Sequence, residues 1–142
     1  DLIGMEKIIS INNSRFLFCQ FPTNGAPIYY LEKLKYLINN NYIPIITNIH
    51  NSSLNLKNLN DLLEIGCLFD VDISNFFLFK SNKSIKKIKY LESKNSILTV
   101  SGFSKAKELD KIFERFSNLT GINTSKLKDK YCWENPNLII SS

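Results

Sequence analysis

Acidic and imidazole side chains interrupt or follow short apolar runs, and these are the residues whose chemistry could serve a functional site. Asp70 and Asp72 alternate with apolar residues in CLFDVDI (67–73), and His50, the only histidine, follows the apolar run 42–49. Carboxylate and imidazole groups bind divalent metals and act as general acids or bases. In a strand, the two-residue period places Asp70 and Asp72 on the same face, which predicts paired oxygens at a strand end.

Each of these side chains also has an ordinary structural interpretation. A single histidine without neighbouring carboxylates is more often a loop or surface residue than a metal ligand. Asp70 and Asp72 can equally accept hydrogen bonds from backbone amides or pair with a lysine. We therefore treat His50, Asp70 and Asp72 as candidate metal ligands that would have to replace the usual ligands of a metal site.

The apolar periodicity along the chain predicts an α/β fold. The run Phe16–Gln20, the amphipathic segment 27–40 and the apolar run 42–49 have the pattern of a strand, a crossover helix and a parallel strand. The same periodicities predict helices over 54–65, 84–93 and 105–116, and strands over 67–73 and 96–101. Gly66 has the position of the C-cap of the first of these helices, and Ser104 that of the N-cap of the last. Strand and helix alternate four times, which favours parallel strands with helices outside the sheet. Function then belongs at the carboxyl ends of the strands.

The two ends of the chain carry weaker signals. Residues 6–11 form a short apolar segment, and the tail is expected to contain a short helix near 125–131 and a final turn over 134–140. We expect Tyr29 on the packing face of the first helix and Trp133 as an anchor of the tail. Because four βα units cannot close a barrel, the sheet is expected to be open or completed by a missing N-terminal portion. Residues 1–142 are thus predicted to form one domain, as the later portion of a larger one.

Composition bounds the class of protein. The 142 residues carry a formal net charge of +5, spread over lysines, and the only arginines are Arg15 and Arg115. Proteins that bind nucleic acids usually cluster arginines among aromatic residues, and this chain does not. A basic nucleic-acid-binding module therefore ranks third, behind the two functions given at the end of this section. No apolar run has the length of a membrane span or signal-peptide core, which favours a cytoplasmic protein.

The three cysteines match no metal or redox spacing. Cys19, Cys67 and Cys132 are widely separated and are predicted to be buried thiols. Cys19 lacks the Cys-x5-Arg phosphate loop of cysteine phosphatases, and we therefore reject it as a nucleophile.

Four short motifs stand in a recognisable order. Phe16–Gln20 is followed by Phe21 and Pro22, residues 41–48 read NYIPIITN, residues 100–104 read VSGFS, and residues 134–136 read ENP. In this order the motifs resemble the PHP family of metal-dependent phosphoesterases, and among them the CpsB/CapC-type bacterial tyrosine phosphatases of capsular and exopolysaccharide operons. That family has a strand ending in Glu-Φ-Pro, then Gly-Tyr-Ile-Pro-Ile-Ile-Ala-His-Pro-Glu-Arg, a strand ending in Ser-Asp-Ala-His, and Glu-Asn-Pro in its tail.

The resemblance spans residues from about 6 to 140 but only the later part of the family's domain. It implies a distorted (β/α)7 barrel that holds two or three metal ions, usually manganese. Such ions lower the pKa of a bound water, hold the phosphate oxygens and stabilise the leaving group. The family's first ligands lie in an N-terminal Asp-x-His-x-His element, which these residues lack.

The departures from the family pattern concern its metal ligands. Where the family has Glu, His, Asp and His, this chain has, in order, Gln20, Asn48, Gly102 and Ser104. None of these four supplies a carboxylate, an imidazole or a thiolate, and a multinuclear manganese site needs anionic oxygens and imidazoles. Asn51 also stands where the family has the arginine that pairs with phosphate. We interpret the four positions as vestigial.

The resemblance and the departures from it lead to two hypotheses for the function. The first is a catalytically impaired phosphatase-like domain that acts by binding or scaffolding, with a protein partner in surface-polysaccharide regulation and no cofactor. The alternative is an active manganese-dependent tyrosine phosphatase that takes ligands from an unseen N-terminal segment together with His50, Asp70 or Asp72.

Overall fold

The fold is described from a computed structural model, which covers residues 7–10, 14–21, 29–47, 49, 54–73, 82–102 and 109–141. Five strands form one sheet in the order in which they occur along the chain: β1 (Lys7–Ser10), β2 (Phe16–Gln20), β3 (Ile43–Thr47), β4 (Leu68–Asp72) and β5 (Ile97–Ser101). The helices are α1 (Tyr30–Asn39), α2 (Leu56–Glu64), α3 (Asn82–Ser93), α4 (Leu109–Thr120), α5 (Thr124–Lys126) and α6 (Asn135–Ser141). A π-helical segment, Leu127–Glu134, joins α5 to α6.

The sheet is parallel from β2 to β5, and a helix lies between each pair of successive parallel strands. This confirms the predicted α/β fold with alternating βα units. The first strand, β1, pairs antiparallel with β2 and lies within the short apolar segment 6–11. No pairing joins β1 to β5 in the part of the chain that the structure describes, so the described sheet is open.

Local sequence signals fix the ends of α2. The Asn55 side chain accepts a 2.8 Å hydrogen bond from the Asn58 backbone N–H, while the Asn58 side chain accepts a 3.0 Å bond from the Asn55 N–H. This capping box provides acceptors for two backbone N–H groups that have no carbonyl partner in a preceding helical turn. Beyond the other end, Gly66 has φ +101°, a conformation that costs glycine nothing, as predicted for a helix C-cap.

The hydrophobic core lies between the sheet and the helices on one face of it. Alternate strand residues point into this core, and those of β2 are Leu17 and Cys19. They pack with buried helix residues such as Leu34 of α1, Leu59 of α2 and Leu91 of α3. Because the side chains of a strand alternate, the residues between them face the opposite side of the sheet.

The tail is helical throughout, from Thr124 to Ser141, so the short helix expected near 125–131 is present and the final turn expected over 134–140 is the helix α6. The Asn135 side chain donates a 2.7 Å hydrogen bond to the carbonyl of Leu98, and the Cys132 thiol lies 3.5 Å from the carbonyl of Val100. Both carbonyls belong to β5, the last strand of the described sheet. The tail therefore covers a strand edge that would otherwise expose backbone acceptors.

A buried tyrosine fixes the start of this tail. The hydroxyl of Tyr131 donates a hydrogen bond to Glu92 of α3, and Lys126 pairs with the same carboxylate. Burial raises the pKa of Tyr131 to about 12, so its hydroxyl stays protonated and able to donate. Since Glu92 lies on α3, this contact ties the tail to the helical layer.

Two aromatic assignments made from the sequence were wrong. Tyr29 is 71% exposed and Trp133 is 70% exposed. Tyr29 precedes α1 in a left-handed conformation, so it does not continue the helical face of Leu34. In the tail, Tyr131 takes the buried position instead, and a residue two places later on a helix points elsewhere.

Within the described residues, no helix combines the length and the apolar composition that crossing a membrane requires. The predicted N-cap Ser104 lies outside the described residues, and α4 is described from Leu109.

The hydrogen bond from Asn135 to β5 predicts a stability difference between two neighbouring variants. We expect Asn135→Ala to be about 1 kcal/mol less stable than Asn137→Ala, because only the first change leaves the Leu98 carbonyl without its donor. Both changes replace asparagine by alanine in α6 and so share the same gain in helix propensity. Asn137 makes only a local bond to the Trp133 carbonyl. Urea denaturation measures the difference, and equal free energies of unfolding would contradict a role for the Asn135 bond.

Candidate functional site

A cavity of about 480 Å³ lies at the carboxyl ends of the parallel strands. The last residue of each parallel strand lines it: Gln20, Thr47, Asp72 and Ser101. These four residues share one edge because parallel strands all end on the same side of a sheet. The cavity therefore lies at the strand ends, where the alternation of strands and helices predicts a functional site.

One wall of the cavity is apolar and comes from the tail. Pro136, Ile139 and Ile140 of α6 line the cavity opposite the strand residues, and Phe18 of β2 adds an aromatic side chain. Ile140 is 58% exposed, so a large hydrocarbon surface stays accessible beside the polar strand ends. A small organic molecule would therefore find polar and apolar surface together, as in most ligand pockets.

The pairing of β4 with β5 is irregular at the floor of the cavity. Phe69 is paired with Ile97, but the next residue, Asp70, is paired with Thr99, so Leu98 is an extra residue in β5. A β-bulge of this kind changes which side chains lie opposite each other. Here it sets a hydroxyl rather than an apolar side chain opposite Asp70.

Asp70 is the buried acid of the cavity, with 6% of its surface exposed. Its Oδ1 accepts a 2.7 Å hydrogen bond from the Thr99 hydroxyl, and its Oδ2 accepts a 2.9 Å bond from the Ser101 hydroxyl. Burial raises the pKa of Asp70 from its ordinary 3.8 to about 6, and the charge of Asp72 acts in the same direction. The two hydroxyl bonds oppose this rise because they favour the ionised form.

Of the candidate residues from the sequence, the structure brings three together. Gln20, Asp70 and Asp72 all line the cavity. Gly102 directly follows the lining residue Ser101 and has φ +91°, a conformation in which any residue with a Cβ is strained. Asn48, His50 and Ser104 lie outside the described residues, and their assignments stay predictions.

The described residues do not fit a manganese centre. No group of three or more His, Cys, Asp or Glu side chains in the described ranges could hold a metal ion. The lining offers two carboxylates, Asp70 and Asp72, whereas Gln20 is neutral and Gly102 has no side chain. Hard divalent cations need several anionic or carbonyl oxygens in one shell.

Cys19 and Cys67 are buried core thiols, as predicted, whereas Cys132 is only partly buried and its predicted burial was wrong. Cys19 and Cys67 are 0% and 2% exposed, and burial raises the pKa of each to about 12. Burial, and then the charge of Asp70, raises the pKa of Cys132 to about 11. A thiol with so high a pKa is not an activated nucleophile at neutral pH.

Several lining residues were missed from the sequence. Thr99 and Ser101 occur in the predicted strand SILTVS, and their spacing of two indicates a shared face. This spacing shows that both side chains lie on one face of the sheet, but it does not show whether that face is the core or the cavity. The wall of Pro136 and Ile139 was missed because nothing in the sequence of the tail indicates that it packs against the strand ends.

One comparison with solved structures bears on the fold. A structure from the pair YwqE of Bacillus subtilis and CpsB of Streptococcus pneumoniae, described as unique metal-dependent tyrosine phosphatases, matches with a TM-score of 0.69 at 20% sequence identity. The match covers 94% of this chain but only 56% of the phosphatase chain. It shows the same fold over nearly all of this chain, in agreement with the expected partial PHP-type architecture. No protein-family model matches the sequence, and no curated protein matches it.

The pKa of Asp70 predicts how stability depends on pH. Because this pKa is raised from 3.8 to about 6 in the folded protein, the folded state holds a proton that the unfolded chain has already lost. The free energy of unfolding therefore falls as the pH rises through this window. Relative to Asp70→Asn, which cannot ionise, the wild type should lose about 2 to 3 kcal/mol on going from acidic to neutral pH.

Urea denaturation at a series of pH values measures this loss. Asp110→Asn serves as the control, because it removes a carboxylate that is 94% exposed. If the difference between the wild type and Asp70→Asn is the same at pH values above and below this window, the account of Asp70 is wrong.

Proposed function

We propose that this chain is a phosphatase-like domain that binds a ligand in the cavity at its strand ends and does not hydrolyse phosphoesters with manganese. The proposal takes residues 1–142 as part of one α/β domain. It treats Gln20, Asn48, Gly102 and Ser104 as vestigial positions of a metal site, following the resemblance described above.

The observation that carries the proposal is the set of side chains around the buried Asp70 carboxylate. Its two oxygens accept hydrogen bonds from the hydroxyls of Thr99 and Ser101. Ligating carboxylates are commonly hydrogen-bonded as well, so the neighbours of Asp70 decide, and a metal-activated water needs several ligands around one ion. Among the described residues Asp70 and Asp72 have no third acidic, imidazole or thiol partner that would complete a metal site, which favours a carboxylate that shapes a binding cavity.

The neighbouring strand end supports the same conclusion. Gln20 lines the cavity at the end of β2, where the resemblance implies a metal-binding glutamate. An amide keeps the size and the acceptor oxygen of a glutamate but not its charge. Such a residue is suited to hydrogen bonding and poorly suited to balancing the charge of divalent ions.

The cavity has the dimensions and lining of a ligand site. Its volume of about 480 Å³ falls in the range of small-molecule pockets, roughly 300 to 1,000 Å³. Polar strand ends face an apolar helical wall, so a ligand can be both oriented and desolvated. In this proposal the ligand-bound domain acts on a protein partner in surface-polysaccharide regulation, as a scaffold rather than as a catalyst.

An active manganese-dependent tyrosine phosphatase is the second candidate. The observation that favours it is the fold shared with metal-dependent tyrosine phosphatases at a TM-score of 0.69. In this case ligands from an N-terminal segment, together with His50, Asp70 or Asp72, would form the metal site. The basic nucleic-acid-binding module stays a prediction from charge alone.

Metal retention separates the first two candidates. The full-length protein is incubated with manganese, desalted and measured by elemental mass spectrometry, and hydrolysis of a phosphotyrosine peptide is assayed in the same buffer. We expect no retained manganese and no manganese-dependent hydrolysis, because the described strand ends lack a set of anionic donors.

A gain-of-charge variant sharpens this experiment. Gln20→Glu restores the residue type that the resemblance implies at the end of β2. We expect it to retain no manganese either, because one carboxylate does not replace the other missing ligands. Two or three manganese ions per wild-type chain, with hydrolysis, would establish the active phosphatase instead.

A further inference from the structure

The described polar lining of the cavity is negatively charged, in a protein whose net charge is positive. Its described lining contains two carboxylates, those of Asp70 and Asp72, and no lysine, arginine or histidine, whereas the chain as a whole carries +5. Charges enclosed by low-dielectric walls act more strongly on a ligand than charges in open solvent. The described lining therefore attracts cationic groups and repels anionic ones.

The hydroxyl protons on the β4 and β5 side of the cavity are already directed at Asp70. An ionised carboxylate only accepts hydrogen bonds, so Thr99 and Ser101 must direct their single protons at Asp70. Their oxygens then present only lone pairs to a ligand. Together with the Asp72 carboxylate, they make the β4 and β5 side of the cavity a surface of acceptors.

A ligand that matches such a surface brings donors and positive charge. A primary ammonium group has three N–H donors and no acceptor, and it can bond a carboxylate and a hydroxyl oxygen at once. A phosphate group needs donors, which this side of the cavity does not offer, and its charge would oppose both carboxylates. Compensation of a buried carboxylate by a cation also relieves the cost of its desolvation.

The apolar wall opposite these acceptors indicates that the ammonium group is attached to an apolar body. Ile139, Ile140 and Pro136 of α6, with Phe18 of β2, offer hydrocarbon and aromatic surface next to the acceptors. Covering the exposed side chain of Ile140 with an apolar group removes that surface from water. A small, strongly hydrated cation would leave this wall unused.

From this arrangement we infer that the ligand of the cavity is a small organic amine, an ammonium group on an aryl or alkyl body. The ammonium group lies against Asp72 and Ser101, above the buried Asp70, and the apolar body lies against the α6 wall. This inference rests on the proposed binding function and names its ligand class. It differs from the anionic substrate class of the phosphatases that share the fold.

Three probes of similar size and different charge test the inference. The full-length protein is titrated calorimetrically with 2-phenylethylamine, 2-phenylethanol and phenyl phosphate at neutral pH and low salt. We expect the amine to bind at least about tenfold more tightly than the alcohol, because it adds charge-assisted hydrogen bonds. Phenyl phosphate is expected not to bind.

A matched pair of variants locates the amine. Asp72→Asn keeps the shape of a half-buried lining residue and removes its charge, so it should weaken amine binding by about tenfold and leave the alcohol unaffected. Asp110→Asn removes a carboxylate that is 94% exposed on α4, and it should change neither affinity. Circular dichroism spectra that superimpose on that of the wild type establish that both variants are folded.

The possible failures are distinguishable. Binding of phenyl phosphate in preference to the amine would overturn the amine inference and leave a binding domain with an anionic ligand. If Asp72→Asn and Asp110→Asn lower the affinity for the amine equally, or if the amine does not bind at all, the inference is also overturned. The proposed function is then still tested separately by the manganese measurement. Retained manganese with phosphotyrosine hydrolysis would overturn both.

Discussion

The hydrogen bonds from Thr99 and Ser101 to the buried Asp70 carboxylate are the interaction on which the described site depends. A carboxylate with 6% exposure is costly unless its oxygens are satisfied, and these two hydroxyls satisfy both of them. The β-bulge at Leu98 makes this possible by setting Thr99 opposite Asp70. Polarity, charge and proton orientation in the cavity all follow from this one arrangement between two adjacent strands.

The tail gives the site its second component. By bonding the outer carbonyls of Leu98 and Val100, it protects the edge of β5 and at the same time sets the apolar residues of α6 against the strand ends. Protection of the sheet edge and construction of the cavity wall are thus one structural solution. The contacts of Tyr131 and Lys126 with Glu92 hold this tail against α3.

A shared fold and a shared chemistry are separate matters here. The chain has the fold of a metal-dependent tyrosine phosphatase over 94% of its length, yet the described strand ends offer an amide, hydroxyls and one engaged carboxylate beside Asp72. Function depends on such side chains rather than on the scaffold that presents them. A cavity lined by carboxylates, hydroxyls and an amide is compatible with the same scaffold, and this lining is the basis of the proposed binding function.

The sequence by itself determined the alternation of strands and helices, the C-cap at Gly66 and the placement of Gln20, Asp70 and Asp72 near strand ends, because periodicity and turn residues are local signals. It did not determine the partners of Asp70. Those depend on the register between β4 and β5, and a single extra residue at Leu98 changes which side chains meet. It also misplaced Tyr29 and Trp133, and it missed the wall of Ile139 and Ile140, because burial in the tail depends on packing against β5 and α3. Only the tertiary structure decides such contacts, since residues about thirty positions apart have no local signal of their proximity.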